Sequence, residues 1–370
     1  MPAQEEVQGN NQEKIVVQLK RTGCSVMKTT RPGIKDIAAE AGVSVTTVSY
    51  IISDSPEQSF SAETKKKVHD AIRKLGYVPN MAARALVSNR SMMIGIVIPQ
   101  TEQHKEFMFS NPFYGEFLSS VEYTARQNRY HVLISGRNAD QTFIEVAQTR
   151  GLDGLIILGM YLDDHCAELK KSGIPIVLVD CYCDDDDFHS VQIDDRQGGY
   201  MATKHLLEKG HSKIAHVTGQ LMGQGVNQQR MWGWRKALEE AGITYKKSLL
   251  YDGEVSFEHG EKTGLTIAKK IRKSGITAIF ASADIIALGL YKGLKKGGVF
   301  IPNDISVVSF DDTWLANIYD NGLTVIRQDV ALKGKTAVEI VLEMIQKGSL
   351  EKRKITLPIT LVERGSVCRR

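Results

Sequence analysis

Basic side chains are concentrated in one short part of this 370-residue sequence. Residues 28–91 contain ten Lys and Arg but six Asp and Glu, so they carry the whole net charge of +4. The remaining residues balance, with 37 basic against 37 acidic side chains. A local excess of this kind is what neutralisation of nucleic-acid phosphates requires. The charge distribution therefore predicts that residues 28–91 contact a nucleic acid.

A second set of side chains suits a small polar ligand. These residues follow apolar runs, and they are Asn111, Phe113, Tyr114, Arg137, Asn138, Asp180, Asn227, Arg230, Asp284 and Asp312. Carboxylates accept hydrogen bonds from hydroxyl groups, arginine donates them in a fork, and an aromatic ring stacks on the apolar face of a sugar. An Asp–Arg–Asp set beside an aromatic pair therefore suits a sugar.

Three short helices are predicted to position the first set. Apolar residues recur at helical spacing from Ile34 to Ala41, Gly42 breaks that helix, and Ser44 is a good N-cap for the next. In the second helix Val48 and Ile52 are expected to face inward. The residues expected to face outward are Val45, Thr46, Ser49 and Tyr50. A third helix begins after Ser61, and its inner stripe is Val68, Ala71, Ile72 and Leu75.

A helix, a tight glycine turn and a second helix with short exposed side chains form the helix-turn-helix design, whose second helix enters the major groove of DNA. The alternative is a generic three-helix subdomain. The coincidence of the turn, the caps and the basic residues favours DNA binding. The run Lys65–Lys67 alone is typical of a solvated face, but its place at the start of the third helix favours contact with the DNA backbone.

From Met92 onward, apolar strands alternate with amphipathic helices. The predicted strands are 93–99, 131–135, 154–159, 175–180, 214–219, 278–282 and 305–310. Continuous apolar strands separated by helices indicate parallel sheets covered on both faces. The number of units predicts two doubly wound lobes. Such sheets bind ligands at the carboxyl ends of their strands, so the second set of side chains is expected in a cleft between the lobes.

Two sequence motifs resemble the lactose repressor (LacI) family. IKDIAAEAGVSVTTVS at 34–49 is similar to that family's DNA-binding signature, and GYVPNMAARAL at 76–86 is similar to its hinge. The resemblance runs from Gly33 to Val367. It implies a homodimer on a palindromic double-stranded DNA operator, with recognition helices in the major groove and paired hinge segments on the minor groove.

The resemblance also implies which residues contact DNA. In the head they are Lys35, Ser44, Val45, Thr46, Thr47, Ser49 and Tyr50, and in the hinge Asn80, Ala83, Arg84 and Leu86. Leu86 matches the leucine that wedges between base pairs and kinks the duplex, a known device of minor-groove binders; the alternative is a core leucine. Tyr50 stands where the family often has Arg or His, and Tyr cannot contact guanine in a bidentate way. The operator sequence is therefore not implied.

Residues of the predicted cleft also match the family's effector site. Arg230 lies in GQLMGQGVNQQRMWGW and Asp284 in ASADIIALG, while Asp180 and the Phe113–Tyr114 pair fall at ligand positions. Val255 stands where relatives often place an aromatic residue. The alternatives are an inter-lobe salt bridge for Arg230 and a helix N-cap for Asp284. The expected effector is a sugar or sugar phosphate, with a nucleobase-like ligand, another metabolite or a protein co-regulator as alternatives.

The resulting fold class is a small all-α helix-turn-helix head followed by an α/β two-lobed domain of the periplasmic-binding-protein type. The expected segments are an N-terminal extension at 1–32, the head at 33–79, a hinge at 80–91 and the effector domain at 92–367. Lobe 1 is expected at about 92–190 and 328–354, and lobe 2 at about 191–327 and 355–367. Chain crossings are expected near 190–195, 312–326 and 350–358. Translation from Met27 is an open possibility.

Other functional classes lack support in the sequence. Apolar runs such as 93–98 are far too short for a membrane span, and the first 32 residues lack a signal-peptide core. The segment 219–225 lacks the GxGxxG and phosphate-loop patterns, and residues Cys181, Cys183, 184–187 and His189 lack zinc spacing, so we expect no cofactor and no metal. The prediction is a bacterial cytoplasmic repressor, associated with the nucleoid when bound to DNA. The rival classes are a solute-binding protein and an enzyme.

Overall fold

A computed structural model describes residues 32–53, 58–78, 90–99, 108–137, 142–159, 166–182, 187–319, 321–348 and 351–370. The chain divides into two compact units, Met1–Asn80 and Met81–Arg370. The predicted hinge residues Asn80, Ala83, Arg84 and Leu86 lie outside the described residues, and so does Asn138. Of Arg137 only the backbone is described.

The first unit contains the three predicted helices. They are α1 (Ile34–Ala41), α2 (Val45–Ser53) and α3 (Ala62–Leu75). The turn between α1 and α2 depends on Gly42, whose φ of 64° is in the left-handed region that favours glycine. Ser44 begins α2 as predicted, because its Oγ accepts a hydrogen bond from Thr47 N at 3.0 Å. Ser61 does the same for α3 by accepting from Thr64 N at 3.1 Å.

A small apolar core holds these helices together. Its fully buried residues include Ile37, Val48 and Val68. The predicted faces of α2 need two corrections. Ile51 is buried at 7 % exposure and joins the inner face, where the predicted Val48 is fully buried and the predicted Ile52 is partly buried against the same core. Tyr50, predicted to face outward, is partly buried, with its ring 6.5 Å from that of Phe60.

The second unit contains two six-stranded sheets. The strands of the first sheet are β1 (Met93–Pro99), β2 (His131–Arg137), β3 (Gly154–Leu158), β4 (Ile176–Val179), β5 (His189–Ile193) and β11 (Lys354–Leu357). Their order is β11-β5-β4-β3-β1-β2, and all pairs are parallel. The strands of the second sheet are β6 (Ile214–Gly219), β7 (Leu250–Gly253), β8 (Ala278–Ala281), β9 (Ser306–Asp311), β10 (Thr324–Gln328) and β12 (Ile359–Val362). Their order is β12-β10-β9-β8-β6-β7, with β12 alone antiparallel to its neighbour.

Helices connect the parallel strands in both lobes. They are α4 (Pro112–Gln127), α5 (Phe143–Thr149), α6 (Cys166–Lys171), α7 (Asp195–Glu208), α8 (Val226–Glu240), α9 (Phe257–Ser274), α10 (Asp284–Lys296) and α11 (Val330–Lys347). The central strands β3, β4, β6, β8 and β9 are buried along their whole length. The prediction of two doubly wound lobes is thereby confirmed. No described helix is long and apolar enough to cross a membrane.

The chain passes between the lobes at three places. It leaves the first sheet after Ile193, returns after Gln328 and passes again at Pro358. The expected crossing at 312–326 is wrong, because β9 and β10 on either side of it pair in the second sheet. The final strands also divide between the lobes: Lys354–Leu357 pairs with β5 of the first sheet and only Ile359–Val362 joins the second.

Candidate functional site

A cavity of about 130 Å³ lies between the two lobes of the second unit. Lobe 1 contributes Asn111, Phe113, Tyr114, Leu158, Gly159 and Asp180 to its wall. Lobe 2 contributes Gln220, Met222, Gly225, Val226, Asn227, Arg230, Val255, Ser282, Ala283, Asp311 and Gln328. Several of these residues end a strand or follow one directly, as expected for parallel sheets whose strands point toward a common cleft.

Seven of the residues predicted to bind a small ligand line this cavity. They are Asn111, Phe113, Tyr114, Asp180, Asn227, Arg230 and Val255. The rings of Phe113 and Tyr114 meet edge to face with centroids 5.6 Å apart. Asn111 begins α4 by accepting a hydrogen bond from Phe113 N at 3.1 Å, which fixes the start of the helix that carries both rings.

Asp180 is held by a lysine that the sequence analysis did not single out. Lys333, on α11, is fully buried, and its Nζ donates to both carboxylate oxygens of Asp180 at 2.8 Å. The same Nζ donates to Gln328 Oε1 at 2.6 Å, and Gln328 Nε2 donates to Asp311 Oδ1 at 2.7 Å. Burial raises the pKa of Asp180, and the ammonium of Lys333 opposes that rise.

Arg230 is positioned by two close helices. A side chain at Gly199 or Gly233 would collide with the backbone of the facing helix, so glycine at both positions lets α7 and α8 pack closely. Arg230 Nε then donates to Asp195 Oδ1 at 2.7 Å, and Nη1 donates to the Ser282 carbonyl at 2.5 Å. The Asp195 carboxylate also accepts from the hydroxyl of Tyr182 at 2.6 Å. Tyr182 follows β4 and Asp195 begins α7, so this bond spans the first crossing.

The guanidinium of Arg230 also lies over an aromatic ring. Its Cζ is 3.6 Å from the centroid of Phe310. Phe310 packs on Gly198, where a Cβ would meet the ring. Asp311 Oδ1 lies 3.6 Å from Arg230 Nη1. Burial lowers the pKa of Arg230, but Asp195 and Asp311 more than offset this effect, so its pKa is raised and the side chain stays charged.

Asp284 does not line the cavity, in contrast to the sequence prediction. Its Oδ1 accepts from Ser309 Oγ at 2.5 Å, and its Oδ2 accepts from Thr313 N at 2.7 Å. These bonds tie the start of α10 to the end of β9, because Asp284 is directed toward the neighbouring strand. The alternative role as N-cap is not seen either, since α10 is capped at Ala283 without a side-chain bond. Burial, with the nearby charge of Asp311, raises the pKa of Asp284 to about 8.

Asp312 is likewise outside the cavity wall. Its carboxylate pairs with Arg327 Nε at 2.5 Å and with Arg364 Nη1 at 2.7 Å. The neighbouring Asp311 lines the cavity in its place. The residue in the cavity wall is thus Asp311 and not the predicted Asp312. The apolar pattern of β9 does not show at which residue the strand ends, so it could not distinguish these two neighbours.

Two aspartates of the cavity wall have an uncommon backbone conformation. Asp180 has a φ of 52° and Asp311 a φ of 101°. Non-glycine residues in the left-handed region are uncommon and cluster at functional sites, where surrounding bonds hold them. In this chain Lys333 and Gln328 supply those bonds, so both carboxylates are held at the strand ends that face the cavity.

The helix-turn-helix unit presents a polar surface. Lys35, Ser44, Val45 and Thr46 are exposed, whereas Thr47, Ser49 and Tyr50 are partly buried. The lysines at 65–67 are also exposed, and Lys67 pairs with Glu63 at 2.8 Å. A small-residue helix start beside exposed cations is the surface that major-groove contact requires.

Within the described parts of the chain, no group of three His, Cys, Asp or Glu could hold a metal ion. Cys181 is buried and donates its thiol to Val179 O at 3.2 Å. Cys183 and residues 184–186 lie outside the described residues.

Comparisons with known proteins match this geometry. The profile of bacterial regulatory proteins of the lacI family matches residues 33–80, and that of a periplasmic binding protein-like domain matches residues 203–367. The HTH-type transcriptional repressor PurR of Photobacterium profundum is 33% identical over 342 residues, which cover 90% of this chain and 98% of that protein. The HTH-type transcriptional regulator DegA of Bacillus subtilis is 33% identical over 348 residues, covering 92% and 98%.

Solved structures agree with this result. The lac repressor dimer bound to operator and the anti-inducer ONPF has a TM-score of 0.76 at 26% identity, covering 91% of this chain and 99% of that one. The CelR–cellobiose complex has a TM-score of 0.65 at 27% identity, covering 91% and 100%. The head and the two-lobed domain together define a DNA-binding transcription regulator, not an enzyme. The chain belongs to the LacI family of bacterial regulatory proteins.

Proposed function

We propose that this regulator is a repressor of carbohydrate-metabolism genes, which binds a palindromic operator as a homodimer and responds to a sugar or sugar phosphate. The cavity between the lobes is the observation that carries the effector part. Buried carboxylates, a buried arginine and an aromatic pair lie around one space, and these groups suit a sugar's hydroxyls and apolar face. The cavity, of about 130 Å³, has room for several water molecules.

The relatives support a sugar effector. One similar structure is described as a cellobiose complex, and a LacI family regulator from Enterococcus faecium, 28% identical, is described with bound ribose. The operator dimer is supported by the lac repressor structure, which is described as a dimer bound to operator. We place the protein in the cytoplasm, and on the nucleoid when it is bound to DNA.

The proposed DNA contacts are those implied by the family motifs. In the head they are Lys35, Ser44, Val45, Thr46, Thr47, Ser49 and Tyr50, and in the hinge Asn80, Ala83, Arg84 and Leu86. Lys35 is exposed and suits a phosphate, whereas the small side chains at the start of α2 allow close approach to base edges. Tyr50, which is partly buried against Phe60, contributes its hydroxyl edge only.

Control by the effector is a two-state equilibrium. A ligand that contacts both walls of the cavity has different affinity for different lobe arrangements, and it shifts the equilibrium by that difference. The lobe arrangement in turn sets the separation of the two hinge segments in the dimer. Ordered hinges hold the operator, and disordered hinges release it.

The experiment is selection of bound duplexes from a random DNA pool by the purified protein at near-physiological salt. Enrichment of a palindrome with two half-sites is expected. Release of that duplex by sugars is then measured with the same protein. Absence of enrichment, with and without added sugars, would contradict a sequence-specific regulator.

A further inference from the structure

The buried charges around the cavity do not balance. The carboxylates of Asp180, Asp195 and Asp311 are each exposed by 8 % or less, and so are the cations Arg230 and Lys333. Within this cluster of described side chains, three negative charges face two positive charges. Among the described side chains of this cluster, the carboxylates therefore exceed the cations by one.

Lys333 has no hydrogen left for a ligand. An ammonium group has three hydrogens. The Nζ makes three hydrogen bonds, two to Asp180 and one to Gln328. Lys333 is also fully buried, behind two residues that themselves line the cavity. Its charge is therefore committed to Asp180, and a phosphate group in the cavity would not gain it.

The hydrogen-bond donors of Arg230 are also largely directed at protein oxygens. Its Nε donates to Asp195 and one hydrogen of Nη1 donates to the Ser282 carbonyl, while Asp311 Oδ1 lies 3.6 Å from the same Nη1. Phosphate recognition by arginine usually uses two parallel N–H donors, because the guanidinium matches two oxygens. Since Nε is committed and Nη1 lies beside two protein oxygens, a phosphate would compete with the protein for either pair of parallel donors.

We propose that the cavity selects an unphosphorylated sugar and excludes sugar phosphates, an inference that rests on the proposed effector site and narrows its ligand class. A phosphate would add about two negative charges to a buried wall that already has an excess of one, where charges are weakly screened. A neutral sugar instead supplies hydroxyl donors to the carboxylates and adds no charge.

Two further observations fit a neutral, hydroxyl-rich ligand. Ser282 lines the cavity at 0 % exposure, and its Oγ has no hydrogen-bond partner among the described residues. A buried hydroxyl without a hydrogen-bond partner is uncommon, and a hydroxyl group of the ligand would supply that hydrogen bond. The edge-to-face rings of Phe113 and Tyr114 also line the cavity and suit the apolar face of a sugar.

The test is calorimetric titration of the full-length protein with matched pairs: D-glucose against D-glucose 6-phosphate, and D-ribose against D-ribose 5-phosphate. Cellobiose serves as a further neutral sugar. At least one neutral sugar is expected to bind, and its phosphorylated partner at least tenfold more weakly. Asp311→Asn, which removes one negative charge from the cavity wall, is expected to reduce the difference in affinity between each sugar and its phosphate severalfold. Asp304→Asn, the same change at an exposed aspartate far from the cavity, is expected to leave it unchanged.

Tighter binding of a phosphate than of its parent sugar would overturn the inference, as would a panel in which no sugar binds. An Asp304→Asn effect equal to that of Asp311→Asn would overturn the charge argument. The operator selection separates these results from the proposed function. A protein that enriches a palindrome but prefers the phosphate remains a sugar-controlled repressor, whereas one that enriches no duplex is not the proposed regulator.

Discussion

Lys333 Nζ lies 2.8 Å from both carboxylate oxygens of Asp180, so a buried ion pair joins helix α11 to the end of strand β4. Lys333 is fully buried and Asp180 is 8 % exposed. Removal of one partner of such a pair leaves an uncompensated buried charge. The pair therefore fixes the wall of lobe 1 at the point where the chain returns from lobe 2.

The first prediction is strong coupling between these two residues. Lys333→Met and Asp180→Asn should each lower the free energy of unfolding by about 3–5 kcal/mol, the cost of an unpaired buried charge. The double variant should lose about 2 kcal/mol less than the sum of the singles. Denaturant unfolding of the four proteins measures this coupling. The exposed pair Arg235–Glu239 is the control, and its coupling should be small because solvent screens it. Additive losses at 333 and 180 would contradict the prediction.

The second prediction concerns Ser282. Ser282→Ala should leave the free energy of unfolding within about 0.5 kcal/mol of wild type, because the Oγ has no hydrogen-bond partner among the described residues. It should weaken effector binding about tenfold, the value of one hydrogen bond to a ligand. Thermal unfolding and calorimetry with a releasing sugar measure the two effects. Ser274→Ala, at the end of α9, is the control and should leave affinity unchanged. Equal affinity of the Ser282 variant and wild type would place the ligand elsewhere.

The third prediction compares Arg230 and Asp284. Arg230→Lys keeps the positive charge but loses the planar set of guanidinium N–H donors, so effector affinity should fall at least tenfold. Asp284→Ala should lower the melting temperature while effector affinity stays within about threefold, because its carboxylate contacts Ser309 and Thr313 and not the cavity. Calorimetry on both variants distinguishes the sites, and Arg235→Lys on the same helix as Arg230 is the control. Loss of affinity in the Asp284 variant would restore the sequence-based assignment.

The fourth prediction is a pH dependence from Asp284. The pKa of the Asp284 carboxyl is about 8 in the folded protein, against an ordinary value of 3.8 that applies to the unfolded chain. Between these two values the folded protein retains a proton that the unfolded chain releases. The stabilisation from this proton is full below the lower pKa and is lost as pH rises through the higher one. The melting temperature of wild type relative to Asp284→Asn should therefore fall between pH 5 and pH 8.5. A constant difference over that range would contradict the raised pKa.

The fifth prediction concerns the proposed hinge. Leu86→Ala should weaken binding to the selected operator strongly, by tenfold or more, and leave the weak, salt-sensitive binding to random duplex intact. The reason is that a wedge contributes to the bent complex alone, whereas phosphate contacts act on any sequence. Fluorescence anisotropy with both duplexes at several salt concentrations measures this. Leu75→Met inside the head is a control for apolar change. Equal operator affinity of Leu86→Ala and wild type would exclude the wedge.

The sequence predicted what depends on local pattern. Apolar spacing and caps predicted α1 to α3 because Ser44, Gly42 and Ser61 act within a few residues of themselves. Continuous apolar strands predicted both sheets. The approach of Phe113, Asp180 and Arg230 followed from one rule, that parallel strands end at a common edge.

The rest of the site depends on contacts between distant segments. Asp195 and Arg230 meet because Gly199 and Gly233 let two helices pack closely, and no local pattern encodes that approach. The position of Lys333 in the sequence does indicate a buried partner. It lies four residues before Ala337, on the apolar stripe of α11, and a charge on a buried face implies a partner. On this helix Val330 and Lys333 face the core, whereas Ala331 is exposed.

Hydrogen bonds at two of the three crossings have a mechanical consequence. Tyr182–Asp195 bridges the first crossing and Lys333–Gln328 bridges the second. Two fixed points define an axis, so a rotation of the lobes about the line through them keeps both bonds, whereas sliding of one lobe along the other stretches at least one. A small molecule bound beside that line therefore acts on the angle between the lobes.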